Sequence, residues 1–156
     1  MPATSTPTLD LVEYAPRLRT AVGRVWRRLR PTAAATAAGL TPTRVSVLMH
    51  VVREGSVRLS ELAAAEGINP TMLSRIVSDL AEAGLLARVS DESDRRAAWV
   101  KSTPAGKRLA ERMRRERTES LNVALARLSE AERHELERAL PALEALAEAL
   151  KEATGR

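Results

Sequence analysis

Two short helices set almost end to end constrain this chain more than any other feature of it. The segment SELAAAE at 60–66 carries small residues, Ala63 and Ala64, where a second helix could approach closely, and Gly67 closes it. Ser60 is the expected cap of this helix. Asn69-Pro70 then opens the next one. Asn caps the free amides, and Pro needs no donor in the first helical position. Leu73, Ile76, Val77 and Leu80 recur on one face, and Gly84 ends the helix. Two helices meeting through a tight glycine turn make a helix-turn-helix, whose second member is the recognition helix.

After Gly84 the apolar period shortens to two. Leu85, Ala87 and Val89 alternate with Leu86, Arg88 and Ser90, and after a charged tip (DESDRR, 91–96) Ala98 and Val100 alternate with Trp99 and Lys101. That is a β-hairpin, which behind a helix-turn-helix is a wing. Upstream, Thr41-Pro42 starts a helix with Val45, Leu48, Met49 and Val52 as its buried face, Gly55 ends it, and Val57-Arg58-Leu59 is a short extended piece. Downstream, Thr103-Pro104 begins a helix of about 25 residues, longer than the usual globular helix. Its inner face is marked by Leu109, Met113, Ser120, Leu121, Ala124 and Leu128.

Both ends of the chain carry apolar stripes. Leu11, Ala15, Leu18, Val22, Val25 and Leu29 are spaced 4, 3, 4, 3, 4, interrupted at Pro16, where the helix either kinks or starts. Pro31 stops that helix, and an Ala/Thr stretch to Gly39 reads as a connection. Ser129 and Glu132 form a capping box for the last helix, in which Leu136, Leu140, Leu143, Ala147 and Leu150 repeat at 4, 3, 4, 3 around Pro141. One small winged domain cannot cover all these stripes. The expected solution is a homodimer of interlocked terminal helices, with Leu11, Leu18, Val22, Leu121, Leu128, Leu136, Leu140, Leu143 and Leu150 at its interface. The fold class is thus mainly α with a small β-wing. The expected divisions are a disordered tail (1–8), an N-terminal dimerisation helix and linker (9–40), the winged helix-turn-helix (41–103), and C-terminal dimerisation helices (104–156).

Composition excludes much chemistry. There is no cysteine, which removes disulfides, thiolate metal sites and thiol redox switches, and only two histidines are present. No Gly-rich phosphate loop or Ser/His/Asp spacing suggests an enzyme, and no metal or cofactor is expected. No apolar run approaches the ~20 residues of a membrane helix, and Met1 to Asp10 lack the cationic and apolar regions of a secretory signal. A cytoplasmic protein without membrane contact is expected. The net charge is +5, and of 25 cations 22 are arginine, the residue best suited to bidentate contact with phosphate and guanine.

The order helix, helix, short strand, helix-turn-helix, wing, long helix, helix resembles the MarR (multiple antibiotic resistance regulator) family of bacterial transcription factors over roughly residues 10–150. The residues that carry the resemblance are LTPTRVSVLMHVVREG (40–55), LSELAAAEGINPTMLSRIVSDLAEAGLLAR (59–88), SDESDRRAAWVKSTPAGKRL (90–109) and LSEAERHEL (128–136). The wing Asp-x-Arg (Asp94, Arg96) followed by a strand and Thr-Pro-x-Gly is the most specific of them. Trp99, large for its strand, and the Ala-rich 31–40 segment depart from the pattern. The resemblance implies a dimeric repressor of pseudo-palindromic promoter DNA, released by a small phenolic or anionic ligand. It also implies that Arg96 enters the minor groove with Asp94 holding it, and that an effector cavity lies between the helical arm and the winged domain. Val22, Trp26, Val45, Met49, His50 and Met113 are the candidates to line that cavity.

Thr71, Ser74 and Arg75 lie off the apolar face in the first turns of the recognition helix, the end that enters the major groove. Arg75 can donate two hydrogen bonds to a guanine edge. Asn69 and Ser60 are caps first and phosphate neighbours second, while Arg95, Arg88 and Ser90 are candidate phosphate contacts on the wing. Two other functions are a non-specific architectural DNA binder and a winged-helix module for protein partners. The modest charge speaks against the first. Against the second, the acids of the recognition helix, Asp79 and Glu82, come only at its far end.

Overall fold

A computed structural model describes residues 10–90 and 98–154. The expected tail at 1–8 and the wing-tip residues Asp94, Arg95 and Arg96 lie outside the described residues. The elements run α1 (Leu11–Leu29), α2 (Ala33–Ala37), α3 (Pro42–Glu54), β1 (Ser56–Arg58), α4 (Leu59–Glu66), α5 (Pro70–Glu82), β2 (Leu86–Ser90), β3 (Ala98–Ser102), α6 (Pro104–Leu125) and α7 (Glu130–Thr154). Contacts group the chain into two units, one ending at Arg117 and one beginning at Thr118.

The core of the first unit is built by the helix-turn-helix and the strands behind it. Leu48, Leu62, Leu73, Leu80, Val47, Val51, Val77, Val100 and Met113 are its largest fully enclosed side chains. Each such aliphatic side chain contributes about 1.5–3 kcal/mol of burial. Val47 and Val51 complete the buried face of α3, whereas Met49 and Val52, expected there, are only partly covered. The face is therefore wider than a single helical stripe, because α3 is packed by α4, α5 and the sheet at once.

The strands form one antiparallel sheet in the order β1-β3-β2. Val57 pairs with Val100 and Arg58 with Trp99, so the extended piece before α4 becomes the third strand of the wing. This pairing moves the start of α4. Ser60 is not its cap: Arg58 holds that position without a side-chain cap bond, and Ser60 lies inside the first turn. Pairing fixes Arg58 as strand, so the helix begins at Leu59. Trp99 owes its size to the same register, because the Arg58 guanidinium stacks 5.1 Å from its ring centroid.

Two proline caps behave as read. Asn69 accepts from the Thr71 N–H at 2.9 Å, and Thr41 from the Arg44 N–H at 3.4 Å. Gly67 takes the left-handed conformation, φ +62°, that turns α4 into α5. The Thr-Pro-x-Gly signature has a packing cause. Thr103 Oγ1 donates to the Gly84 carbonyl (2.6 Å) and accepts from the Gly106 N–H (3.0 Å). At Gly106 a β-carbon would collide with the Leu85 carbonyl oxygen, so only glycine lets α6 lie this close to the end of the recognition-helix turn.

The 31–40 connection is a correction. It contains α2, with Ala34 and Ala35 buried. Thr32 Oγ1 accepts from Ala35 N–H at 3.2 Å, and both Glu116 carboxylate oxygens stand 3.1 Å from the Ala34 amide nitrogen. Five residues are too few to show a helical period, so the element is decided by its caps and its burial.

Helix α1 runs through Pro16 from an Asp10 cap, and α7 runs through Pro141. The capping box at Ser129 forms: Ser129 N–H and Oγ donate to Glu132 Oε2 at 2.8 and 2.7 Å, and Glu132 N–H reaches Ser129 Oγ at 3.3 Å. The apolar stripes stand exposed in the single chain, among them Leu11, Val22, Leu121, Leu136, Leu140, Leu143 and Leu150, while Leu18 and Leu128 are partly covered. Among the described residues no helix is long and apolar enough to cross a membrane.

Candidate nucleic-acid interface and effector cavity

Helix α5 buries Leu73, Ile76, Val77 and Leu80, which turns the alternate residues outward. Thr71, Met72 and Arg75 are exposed and Ser74 is half-buried. With Thr41, Thr43 and Arg44 at the start of α3 they line an open groove of about 720 Å³. Arg44 forms an ion pair with Asp79 across it. That pair takes up one of the two acids that α5 carries at its far end, leaving the groove's first-turn end with Thr71, Met72 and Arg75.

The Arg88 side chain ties the wing to this helix. The Arg88 Nη2 of β2 lies 2.9 Å from the Ser74 carbonyl oxygen, 3.1 Å from Ser74 Oγ and 3.1 Å from Ser78 Oγ. Arg88 and the Ser74 hydroxyl, both candidate DNA contacts, are thus engaged with each other, and their arrangement holds the hairpin against the recognition helix. Asn69 and Ser60 are exposed at the N-terminal ends of α5 and α4, and Ser90 ends β2.

A second concavity, about 830 Å³, lies between α1, α2, α3 and the first part of α6. Trp26, Val45, Met49 and His50 line it as expected. Two candidates do not: Met113 is wholly inside the core, and Val22 is half-exposed on α1 away from the lining. Met113 is enclosed in the core one residue before Arg114 and one turn before Arg117, both of which line the cavity, and a stripe of apolar residues does not mark that boundary. His50 is not free to meet a ligand through Nδ1, which lies 2.8 Å from Glu66 Oε1, while Ser46 Oγ donates to Glu66 Oε2 at 2.6 Å. Glu66 is the last residue of α4. The cavity wall is therefore hydrogen-bonded directly to the helix that leads into the recognition turn.

The rest of the lining was not foreseen. Arg30, at the end of α1, and Arg117, on α6, both face into the cavity, and the Arg117 guanidinium stacks 5.6 Å from the Trp26 ring centroid. Burial lowers the Arg117 pKa, and the neighbouring charge of Arg30 lowers it further. Nothing in the sequence marks these two among 22 arginines, because 86 residues separate them. Among the described residues no cluster of His, Asp and Glu could hold a metal ion.

An HTH-type transcriptional regulator of Mycobacterium bovis is 31% identical over 116 residues, 74% of this chain and 80% of the relative. The MarR family profile matches residues 40–98, from the start of α3 into the wing. The chain belongs to the MarR family. A transcriptional regulator of Pseudomonas aeruginosa is 32% identical, with a TM-score of 0.72, covering 90% of this chain and 99% of that one. Two more distant structures share the fold. NadR in complex with 4-hydroxyphenylacetate has a TM-score of 0.59 at 23% identity, covering 92% of this chain and 97% of that one. An S. aureus MepR mutant bound to an oligodeoxyribonucleotide has 0.63 at 17%, covering 86% and 97%. As a MarR-family member the chain is a transcriptional regulator, mainly α with a small winged sheet.

Proposed function

We propose that the protein is a dimeric, sequence-specific DNA-binding repressor that a small ligand releases from its operator. The observation that carries the reading is the exposed first-turn face of α5, Thr71, Met72 and Arg75, on a helix whose other face is locked in the core. Arg75 reads a guanine edge, and Thr71 reads a base or a phosphate. Met72, which the sequence reading passed over, offers its thioether side chain to a thymine methyl. Asn69 and Ser60 stand beside phosphates at helix N-termini. Arg96, held by Asp94, enters the minor groove, and Arg95 and Ser90 contact the backbone. The MepR mutant bound to an oligodeoxyribonucleotide supports DNA as the partner, and NadR in complex with 4-hydroxyphenylacetate supports a small-molecule ligand. The exposed stripes of α1, α6 and α7 support a homodimer, whose two-fold axis demands a pseudo-palindromic site.

Selection from a random duplex pool at physiological salt tests this. Enrichment of an inverted repeat with half-sites about one helical turn, ~10 bp, apart is expected. Strong binding with no enriched sequence would instead mean an architectural binder, and no binding a protein-contact module. On the enriched site, Arg75→Ala costs about 1–3 kcal/mol at one base pair per half-site and little on scrambled DNA.

A further inference from the structure

The outward face of the recognition helix carries an exposed thioether. Met72 is 54% exposed and lines the open groove together with Thr71 and Arg75. The Asn69 cap at the Thr71 N–H and the enclosed Leu73 fix the backbone on either side of it, which holds the thioether on the outside. The other methionines among the described residues are shielded: Met113 is enclosed in the core and Met49 is partly covered in the cavity wall. The chain has no cysteine, so no thiol of its own competes for an oxidant.

Oxidation changes what this position offers to DNA. A thioether is apolar and suits a thymine methyl, whereas a sulfoxide is polar and accepts hydrogen bonds. Residues three apart on a helix are neighbours, so a sulfoxide oxygen on Met72 comes within reach of the Arg75 guanidinium. One added oxygen thus removes an apolar contact and draws off donors meant for a guanine edge.

Resting on the DNA-binding reading above, we propose that Met72 is an oxidation site whose sulfoxide releases the protein from its operator, with a hypohalous acid as the oxidant. The sulfur lone pair attacks the oxygen of hypochlorous acid. An S–O bond forms, the O–Cl bond breaks with its electron pair leaving on chloride, and the O–H proton goes to water. Sulfur loses two electrons and chlorine gains them. The position that reads the operator thereby senses the oxidant, and bound DNA covers it.

The test treats the full chain with equimolar hypochlorous acid, maps the added oxygen by peptide mass, and reads operator affinity by fluorescence anisotropy on the selected duplex. Met72 is expected to take up oxygen before Met49 and Met113, and excess operator duplex should protect it. The oxidised protein should bind the operator about ten-fold more weakly, and a methionine sulfoxide reductase with a thiol reductant should restore it. Met72→Leu has no sulfur at this position. Whatever its own affinity, its ratio of oxidised to untreated affinity should stay near one, while Met49→Leu keeps the loss. Oxygen uptake at Met49 or Met113 as early as at Met72, unchanged affinity after oxidation, or a loss that persists in Met72→Leu would overturn the proposal. The mapping needs no DNA, so failure of operator selection would defeat the repressor reading and not the oxidation site.

Discussion

The core around α3, α4 and α5 and the stripes of α1 and α7 are made of the same residues and meet opposite fates. Leu48, Leu62, Leu73 and Leu80 are fully enclosed, whereas Leu11, Leu140 and Leu150 remain 69%, 53% and 59% exposed in the single chain. The first group is covered by one continuous core drawn from residues 34–113, held by caps and glycine turns. The second has long, regular stripes that stay largely exposed among the described residues. Apolar periodicity therefore states which side of a helix must be covered, and it leaves open which chain does the covering.

Variants separate the two regions. The largest effect is expected in the core: Leu80→Ala costs about 2–5 kcal/mol, read as a lower denaturation midpoint at unchanged slope and at any protein concentration. Gly106→Ala forces α6 off the Leu85 carbonyl and costs about 1–3 kcal/mol or more on the same measurement. In the stripes, Leu140→Asp leaves the winged core folded and lowers oligomer mass in sedimentation, abolishing the concentration dependence of the melting temperature. A melt that drops equally at all concentrations would show that α7 is covered within one chain. Arg88→Ala, which frees the wing from Ser74 and Ser78, costs about 1 kcal/mol of stability. It raises amide exchange in β2 and leaves α7 unaffected.

The smallest effect belongs to the α7 cap. Ser129 donates to Glu132 with its hydroxyl first and its N–H second, which holds the Glu132 carboxyl below the usual carboxylate range. Its contribution is present above the ordinary glutamate pKa and is lost as pH falls through the lowered value. Amide exchange in the first turn of α7 should therefore quicken at acid pH. Ser129→Ala should quicken it at neutral pH and flatten that dependence. Arg117 has the opposite logic: burial first and the neighbouring Arg30 charge second disfavour its charged form, so its lowered pKa marks a cost and not a contribution to stability.

Local rules made most of the winged half legible. Asn69-Pro70, Gly67, Ser129-x-x-Glu132 and the alternation from Leu86 each act over a few residues, and each element they imply is present. What those rules mislaid depended on a partner from elsewhere in the chain. Ser60 lost its cap position because β1 pairs with β3. The 31–40 connection became a helix because Thr32 and Glu116 cap it. Met113 left the cavity for the core, and Arg30 and Arg117 entered it.

By itself the sequence determined the helix-turn-helix, the wing strands and the outward face of α5, because a cap, a turn residue and a helical period are properties of neighbours along the chain. The tertiary structure alone decided the arginine-lined cavity, the Arg88 clamp and the His50–Glu66 contact. Each brings together side chains from separate elements, and their energies come from distances through space that no spacing along the chain encodes.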